Sequence, residues 1–529
     1  MKLLTWLLVW IPRLPALFTL LFVAGMLGYL ALVAVIVKAG GVQTMADALW
    51  VLVGLPRPPA VLGFDVATRV FWEGLVVVLA LFVGVLASYN LAAAVHRAAR
   101  PRVRIRVAGP QPERPGTGTA LRDVQRIGII LAGGGAKGAY QAGALRAVHE
   151  FLEANGALDR VRMIAGTSIG SWNAMFWLAG LVKPPPAGGP SPHEAWWRSI
   201  RLSRILEFDQ YLPMRSNHFL RPTPWRESFR ELFSRPEAVR ARLGRLFQTP
   251  AIGGAEPTHF YFTRSNVERG HLEFSTNRAS LRTLTRPRLR TPDPTDEEPV
   301  VPADRYEVIE GPVEEAVPRM ERAVFASMDL PPLFPYLPIK VEHTEYFEDG
   351  GVVENLPVSF GAQIERCDLL FVLPLNASFA EPVNHTSVLG RLSRVMDVRQ
   401  GVIERHAMKL SYLYNELAAL RNRVDELESP RERKSRDTLE LQQRAVALEA
   451  TALRRSHRPI SIFAICPAPP LAIATTEFWK GREAGQAFEL MYAATRYELA
   501  ENFTQNTDPN WVRMTLVGPQ GERTWTDDF

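Results

Sequence analysis

The chain has 529 residues, more than one typical domain, and its hydrophobic fraction of 47% is ordinary for a globular protein. Its two cysteines, Cys367 and Cys466, lie in apolar stretches typical of buried strands, which excludes a disulfide framework and a cysteine-based metal site. The formal net charge is +6, and we attribute the excess to an arginine-rich segment near the N-terminus.

Two long apolar runs fall within the first hundred residues. Residues 14–37 contain no charge and are bracketed by Arg13 and Lys38, and residues 74–95 form a second run. At a rise of about 1.5 Å per residue, each run is long enough to cross roughly 30 Å of hydrocarbon. A buried core helix is usually shorter, and no A-x-A cleavage site ends the first run. The sequence therefore predicts an N-terminal membrane hairpin over residues 1–96.

Positive charge follows the second predicted span directly. Five arginines occur within ten residues: Arg97, Arg100, Arg102, Arg104 and Arg106. The positive-inside rule places this side, and hence both termini and the domain that follows, in the cytoplasm. An arginine cluster is also compatible with nucleic-acid binding, but its position beside a span favours anionic lipid headgroups, so we predict no nucleic-acid partner.

A basic, proline-rich linker over residues 97–122 precedes the predicted catalytic domain, residues 123–376. From there, short apolar runs alternate with helix-length segments, beginning with runs at 127–131 and 163–165. This alternation is typical of parallel strands joined by crossover helices. The sequence therefore predicts an α/β domain.

Two insertions interrupt this alternation. Residues 183–256 mix many aromatic side chains with arginines, which is compatible with a lid that dips into lipid or with a helical subdomain that packs its aromatics inward. Residues 279–312 are rich in proline, threonine and acids, and predict a mobile loop.

The C-terminal part predicts a helical hairpin over residues 377–458. Six apolar residues step by three and four: Leu410, Leu413, Leu417, Leu420, Val424 and Leu427. Such a seam is usually buried, either against a second helix, predicted at about 437–455, or against another copy, and we favour the intramolecular hairpin. Residues 459–529 then predict a strand at 460–465 and a helix at 483–503 that complete the catalytic domain.

The first of three short motifs is GGGAKG, from Gly133 to Gly138. It follows a predicted strand and opens a helix, so its backbone N–H groups are suited to binding an anion. It also fits G-x-G-x-x-G, but the next strand ends in Ala165 and Gly166 without the acid that a dinucleotide site requires. A Walker A loop needs a lysine after its last glycine, where this chain has Ala139.

The second motif, GTSIG from Gly166 to Gly170, lies one strand further along the chain. Both glycines permit a tight strand-to-helix turn, which predicts a nucleophile elbow that presents the hydroxyl of Ser168. An oxyanion hole beside the serine is what acyl transfer requires, and the N–H groups of Gly134 and Gly135 are suited to form it.

A nucleophilic serine needs a base, which is commonly a histidine. The chain offers His385, His406 and His457 downstream, but none has an adjoining motif. The third motif, DGG, begins at Asp349, and its glycines permit a sharp turn that brings the carboxylate against a neighbouring strand end. We therefore predict Asp349 as the base and keep a triad with one of the histidines as the alternative.

Taken in this order, the three motifs resemble the patatin-like phospholipase family. The resemblance extends from about Ile127 to Asn376 and includes the segments STN, ASMDLPPLFP and ENLPV. It implies a three-layer α/β/α domain with a mostly parallel central sheet. The chain departs from the family in the long insertion after Gly180 and in Trp172, where small residues are common.

The resemblance also implies roles for individual residues. Gly133, Gly134 and Gly135 form the oxyanion hole, Ser168 is acylated, and Asp349 completes a Ser/Asp dyad without histidine or any metal or organic cofactor. The supporting motif positions are Lys137, Gly138, Gly166, Gly170, Gly350 and Gly351. Lys137 either attracts a phosphate headgroup or is simply solvated.

These observations predict a membrane-anchored serine lipid acyl hydrolase of the phospholipase A or lysophospholipase type. Membrane lipids are its expected substrate and anchor. The alternatives are an acyltransferase or a Ser-Asp-His carboxylesterase built on the same motifs, or an inactive membrane-tethered scaffold whose hairpin recruits partners.

Overall fold

The structure, a computed structural model, describes residues 121, 123–208, 220–248, 257–284, 303–330, 334, 337–340, 344–376, 388–427, 460–503 and 511–526. All of them belong to one compact unit, Val103–Phe529. The predicted hairpin with its spans at 14–37 and 74–95 lies outside the described residues, as does the predicted helix at 437–455. Among the helices in the described ranges, none combines the length and apolarity needed to cross a bilayer.

Thirteen strands occur in the described residues. They are β1 Ile127–Leu131, β2 Val161–Gly166, β3 Glu207–Phe208, β4 Leu220–Arg221, β5 His259–Asn266, β6 His271–Thr276, β7 Tyr306–Val308, β8 Leu337–Lys340, β9 Thr344–Asp349, β10 Leu369–Leu373, β11 Ser461–Pro467, β12 Val512–Val517 and β13 Arg523–Thr526. Eleven form one sheet with the path β13-β12-β11-β10-β1-β2-β5-β6-β7, to which β9 is added by pairing with β5, and β8 by pairing with β9. Strands β3 and β4 form a separate hairpin.

The centre of the large sheet is parallel. Strand β1 lies between β10 and β2, and pairs in parallel with both. Its five residues, IGIIL, are all buried, as are those of β10, which explains why both sequences are continuously apolar rather than alternating. The predicted α/β class with a mostly parallel sheet is therefore confirmed, with antiparallel pairs at β5–β6, β5–β9, β8–β9 and β12–β13.

The helices of the described residues connect and cover the strands. They are α1 Gly138–Ala154, α2 Ile169–Leu178, α3 Pro192–Arg198, α4 Leu202–Ile205, α5 Thr223–Phe229, α6 Glu237–Gly244, α7 Leu281–Leu284, α8 Val313–Ser327, α9 Val388–Leu427 and α10 Gly481–Glu498. Local sequence sets several of their ends. For example, Ser191 caps α3 by accepting a hydrogen bond from the amide of Glu194 at 3.1 Å, and Pro192 fits the first turn.

Two hydrophobic cores lie on opposite faces of the sheet. One contains Ile129 of β1 together with side chains of α1, α2, α8 and α10. The other contains Ile130 of β1 together with the segment after the DGG turn and Met408 of α9. Adjacent residues of β1 thus serve different cores, as expected for a strand covered on both faces.

The first predicted insertion packs its described aromatic side chains inward. Trp196 and Trp225 are buried, and their ring centroids lie 4.9 Å and 5.5 Å from that of Trp172. Phe229 packs against the same indole at 6.2 Å. The inward-packing interpretation of residues 183–256 is therefore correct for these residues, and the insertion supplies the aromatic neighbours of Trp172.

Three predictions need correction. Residues 279–312 are not loop throughout, because β7 pairs in parallel with β6 and helix α7 occupies Leu281–Leu284. Strands β12 and β13 extend the sheet beyond the single C-terminal strand that the sequence predicted. Cys367 is buried but precedes β10 instead of lying within it, whereas Cys466 lies in β11.

Strand β5 brings the ends of β2 and β9 together. Its other edge pairs with β6, so β2 and β9 share the remaining edge in succession. Gly166, the last residue of β2, pairs with Phe262, and Asp349, the last residue of β9, pairs with Arg264 two positions further along. The antiparallel strand β9 thus ends where the parallel strand β2 also ends.

Candidate active site

Ser168 lies at the sharp turn between β2 and α2. Its backbone has φ 53° and ψ −125°, a conformation that costs free energy in a residue with a side chain and that is typical of a nucleophile elbow. Its amide donates to Oγ of Ser327 at 2.8 Å. A Cβ at Gly170 would lie 2.2 Å from the carbonyl oxygen of Leu131, so the tight turn requires glycine there.

Asp349 ends β9 and is 2% exposed. The amide of Gly351 donates to its Oδ1 at 2.8 Å. Its own amide donates to the carbonyl of Asp329 at 2.8 Å, and the hydroxyl of Ser265 donates to its carbonyl at 2.9 Å. These contacts fix both the backbone and the carboxyl group of Asp349 at the strand end.

Ser168 lies close enough to Asp349 for hydrogen bonding from its hydroxyl to lower the pKa of the Asp349 carboxyl group. Burial raises the pKa of Asp349 to about 7, while the hydrogen bonds from Ser168 and Gly351 lower it. A carboxylate with a pKa near neutrality is far better suited to accept a proton than an exposed one.

The glycine loop lies directly against Ser168. A Cβ at Gly133 would come within 2.8 Å of Cβ of Ser168, so only glycine permits this approach. The amide of Gly133 already donates to Oδ1 of Asn355 at 3.0 Å, and that of Ala136 donates to the carbonyl of Thr475 at 2.8 Å. Gly133, predicted as an oxyanion donor, is therefore engaged elsewhere.

The amides of Gly134 and Gly135 differ from those of their neighbours. Neither has a hydrogen-bond acceptor among the residues that the structure describes. Gly135 has φ 57°, which turns the backbone sharply just before α1 begins. The loop, which meets Ser168 at Gly133, thus has two adjacent N–H groups available, and such groups are suited to stabilising a developing oxyanion.

A buried carboxylate holds the loop from behind. Glu404 of α9 is 0% exposed and accepts hydrogen bonds from the amide of Asn376 at 2.8 Å and from the side chain of Asn355 at 2.5 Å. Both asparagines in turn donate to the carbonyl of Gly133 at 3.1 Å. Burial raises the pKa of Glu404 to about 7, and its hydrogen bonds from Asn376 and Asn355 lower it.

Lys137 is also buried, with 2% exposure. Its ammonium donates to Oδ1 of Asn376 at 2.7 Å and pairs with Asp397 of α9 at 3.1 Å. Asp397 also accepts from the hydroxyl of Thr475, whose carbonyl receives the amide of Ala136. Lys137 is therefore neither solvated nor positioned for a headgroup, and the prediction that offered those two roles is wrong.

Of the three downstream histidines, the structure describes His406, which does not contribute to this arrangement. His406 is exposed on α9, on the side opposite to Glu404. His385 and His457 lie outside the described residues. Of the predicted motif residues, Ser168, Asp349 and the glycine loop come together in one place.

Sequence reasoning missed Glu404, Asp397 and Asn376. Asn355 appeared only within the segment ENLPV. The signal for the α9 residues was the regular recurrence of polar residues at 397, 400, 404, 411 and 415, all of them buried. Such a polar stripe indicates a helix that covers a polar site and not only an apolar core.

A cavity of about 260 Å³ adjoins the site. Its wall is largely apolar and includes Trp225, Phe325 and Met328, with Arg226 and Asp329 as charged members. Met328 and Asp329 directly follow Ser327, the partner of the Ser168 amide, so the cavity lies within a short distance of the elbow. An apolar cavity of this kind is suited to part of an acyl chain.

Residues 129–360 match the sequence model of the family described as patatin-like phospholipase. This match confirms, for residues 129–360, the resemblance to the patatin-like phospholipases that the three motifs predicted. No curated protein matches the chain.

Solved structures that are similar to the chain include VipD and ExoU. VipD from Legionella pneumophila shows 13% identity and a TM-score of 0.29, and the match covers 71% of this chain and 67% of the VipD chain. ExoU from the type III secretion system of Pseudomonas aeruginosa, solved in complex with SpcU, shows 14% identity and a TM-score of 0.20. The match covers 75% of this chain and 77% of the matched chain.

Proposed function

We propose that this protein is a membrane-anchored serine lipid acyl hydrolase that uses a Ser168/Asp349 dyad. The observation that carries the proposal is that buried Ser168, at a strained turn, lies beside buried Asp349 and against a glycine loop with two amides that have no acceptor in the described part of the chain. The family supplies the substrate class, an ester of a lipid.

In the proposed reaction, Asp349 accepts the proton of Ser168 while the serine oxygen attacks the acyl carbonyl carbon. The tetrahedral oxyanion accepts hydrogen bonds from the amides of Gly134 and Gly135, each worth about 3 kcal/mol of barrier in comparable sites. The alcohol leaves with the proton held by Asp349, and water then attacks the acyl-enzyme by the reverse sequence. Attack by another alcohol in place of water would give acyl transfer.

A fluorophosphonate probe tests the nucleophile directly. We expect the wild-type chain to be labelled and Ser168→Ala to remain unlabelled. The Ser168→Ala variant should also release no fatty acid from a lysophospholipid. Ser203→Ala is the matched control, because Ser203 is exposed on α4, outside the site. Labelling that survives in Ser168→Ala would refute the proposal.

The histidine alternative has its own test. Single alanine substitutions at His385, His406 and His457 should each leave the labelling rate close to that of the wild type. A loss of labelling at one of them, in a folded variant, would instead establish a triad. Transfer of the acyl group to a supplied lipid alcohol at a rate exceeding hydrolysis would establish an acyltransferase.

Membrane anchoring is the part of the proposal that depends on residues 1–96. Their two apolar runs and the arginines that follow support a hairpin with the catalytic domain on the cytoplasmic side. We expect the full-length chain to stay in the membrane pellet after extraction with alkaline carbonate. Release into the supernatant would show that the chain is not integrally anchored.

A further inference from the structure

Helix α9 has an unusual distribution of side chains. The face that lies against the domain is mostly polar and buried, and contributes the two acids that hold the glycine loop, Asp397 and Glu404. Helices that cover a globular core normally place apolar residues inward and polar residues outward. In α9 this order is largely reversed.

The opposite face of α9 exposes apolar side chains to solvent. Its members, which we call the α9 outer face, have exposed fractions of 65%, 48%, 37%, 51% and 44%: Val395, Val398, Val402, Leu410 and Leu413. They recur every three or four residues, with exposed His406 completing the spacing between Val402 and Leu410. Five aligned apolar side chains on one surface differ from the scattered exposure that is normal for soluble proteins.

Positive charge borders the α9 outer face. Arg399 and Lys409 are exposed beside it, and Arg394 and Arg405 are partly exposed. Of the acids between residues 394 and 416, Asp397 and Glu404 are buried on the inner side. Glu416, at the C-terminal end of the α9 outer face, is exposed, so four basic side chains border this face against one acid. A row of apolar side chains bordered by arginine and lysine is the pattern that binds the headgroup region of an anionic bilayer.

Charge also favours an anionic bilayer over a second copy of the chain as the partner of the α9 outer face. Two helices that associate through their outer faces would bring arginine and lysine of one copy towards arginine and lysine of the other. Anionic headgroups instead complement the border, and the valines and leucines enter the acyl boundary.

We propose that the α9 outer face docks onto an anionic lipid surface; this inference rests on the proposed action on membrane lipids. The same helix holds the glycine loop through Glu404 on its other side. Docking through α9 would therefore set the position of the oxyanion loop relative to the bilayer that supplies the substrate.

The first test reads lipid contact without using activity. A fluorophore is attached at Val402→Cys in the full-length chain, reconstituted in phosphatidylcholine vesicles with and without phosphatidylserine. Both native cysteines are buried, so labelling at the introduced thiol is favoured. The matched control is Ala154→Cys, exposed at the end of α1 remote from the glycine loop.

We expect nitroxide-labelled lipids to quench the Val402→Cys probe severalfold more than the Ala154→Cys probe, and more strongly when phosphatidylserine is present. Equal quenching at the two positions would overturn the docking proposal. The α9 outer face would then be covered by a second copy or by another segment of this chain instead of by lipid. Strong quenching that does not depend on phosphatidylserine would overturn the electrostatic part.

The second test changes the surface. In Val402→Glu/Leu413→Glu, the rate on anionic vesicles relative to the rate on a soluble short-chain ester should fall about tenfold, because carboxylates resist entry into the headgroup boundary. Ala154→Glu adds the same kind of charge elsewhere and should leave the ratio unchanged. An unchanged ratio in the double variant, or an equal fall in the control, would overturn docking. A wild type that releases no fatty acid would refute the proposed function, while the quenching result would still decide the docking.

Discussion

The two halves of the site are held in place by different parts of the chain. The Ser168/Asp349 half is fixed by neighbours inside the matched segment 129–360: Ser327 binds the amide of Ser168, and Asp329 and Gly351 bind Asp349. In the glycine-loop half, Asn355 of the segment binds Gly133, but much of the support comes from outside the segment, where Asn376 binds Gly133, Glu404 binds both asparagines and Asp397 binds Lys137.

This difference separates a half of the site that the motif residues shape themselves from a half that depends on residues elsewhere in the chain. The dyad depends on short turns whose geometry the motif residues determine themselves. The glycine loop has no side chains of its own over three positions, so other residues must orient its amides. In this chain α9 and the segment around Thr475 supply that support.

The largest predicted effect concerns the base. Asp349→Asn removes the proton acceptor but keeps an oxygen for the amide of Gly351, so we expect kcat to fall by about 10³-fold or more. The same substitution should increase the free energy of unfolding above neutral pH, although it lowers kcat. The folded-state pKa of about 7 lies above the ordinary value of 3.8, so the contribution of Asp349 to stability is lost as pH rises through about 7.

At pH 8 the Asp349→Asn variant should therefore be more stable than the wild type, on the order of 1–3 kcal/mol. At pH 4 the two chains should differ little. Chemical denaturation at both pH values measures this, and a variant that is less stable at pH 8 would show that the buried carboxylate is stabilised by its hydrogen bonds instead.

The next effect tests the other half of the site. Glu404→Ala removes the acceptor of the Asn376 backbone amide and one of the two acceptors of the Asn355 side chain. We expect kcat on a soluble ester to fall by about 10²-fold with little change in KM, because the glycine loop then holds its oxyanion donors less firmly. Glu404→Gln keeps one oxygen acceptor and should recover part of this loss. Glu416→Ala, at an exposed position on the same helix, is the control. A rise in KM as large as the fall in kcat would indicate disturbed substrate binding instead of loop positioning, and the folded fraction of each variant is measured separately.

The pH dependence is predicted to be smaller and reports on both halves. Asp349 must be ionised to accept a proton, so kcat/KM should rise about tenfold between pH 6 and pH 8, with a midpoint near 7. Because burial also raises the pKa of Glu404 to about 7, the profile is repeated in Glu404→Gln. An unchanged midpoint assigns the profile to Asp349, and a shifted one assigns it to Glu404.

The smallest effect should come from Ser327. Its hydroxyl accepts from the amide of Ser168 at 2.8 Å and from the hydroxyl of Ser171 at 2.9 Å. In Ser327→Ala these donors lose one partner, so we expect a loss of about 1 kcal/mol in unfolding free energy and a severalfold fall in kcat. Several other contacts still hold this half of the site, and a loss as large as that of Glu404→Ala would contradict this assignment.

The sequence by itself determined the catalytic motifs and much of the core. Continuous apolar runs predicted β1 and β11, and the glycines around Ser168 and after Asp349 predicted two sharp turns, because these features depend on local backbone geometry. It also determined the aromatic character of residues 183–256, although not the direction in which the aromatics pack.

Only the tertiary structure decided which residues complete the site. Ser168 and Asp349 meet because β2 and β9 use the same edge of β5 in succession, a pairing between segments that lie far apart in the chain. The removal of Gly133 from the oxyanion donors, the burial of Lys137 and the role of Glu404 likewise depend on long-range hydrogen bonds. No local pattern encodes a partner on another element of the fold, whereas a turn is specified by the few residues that form it.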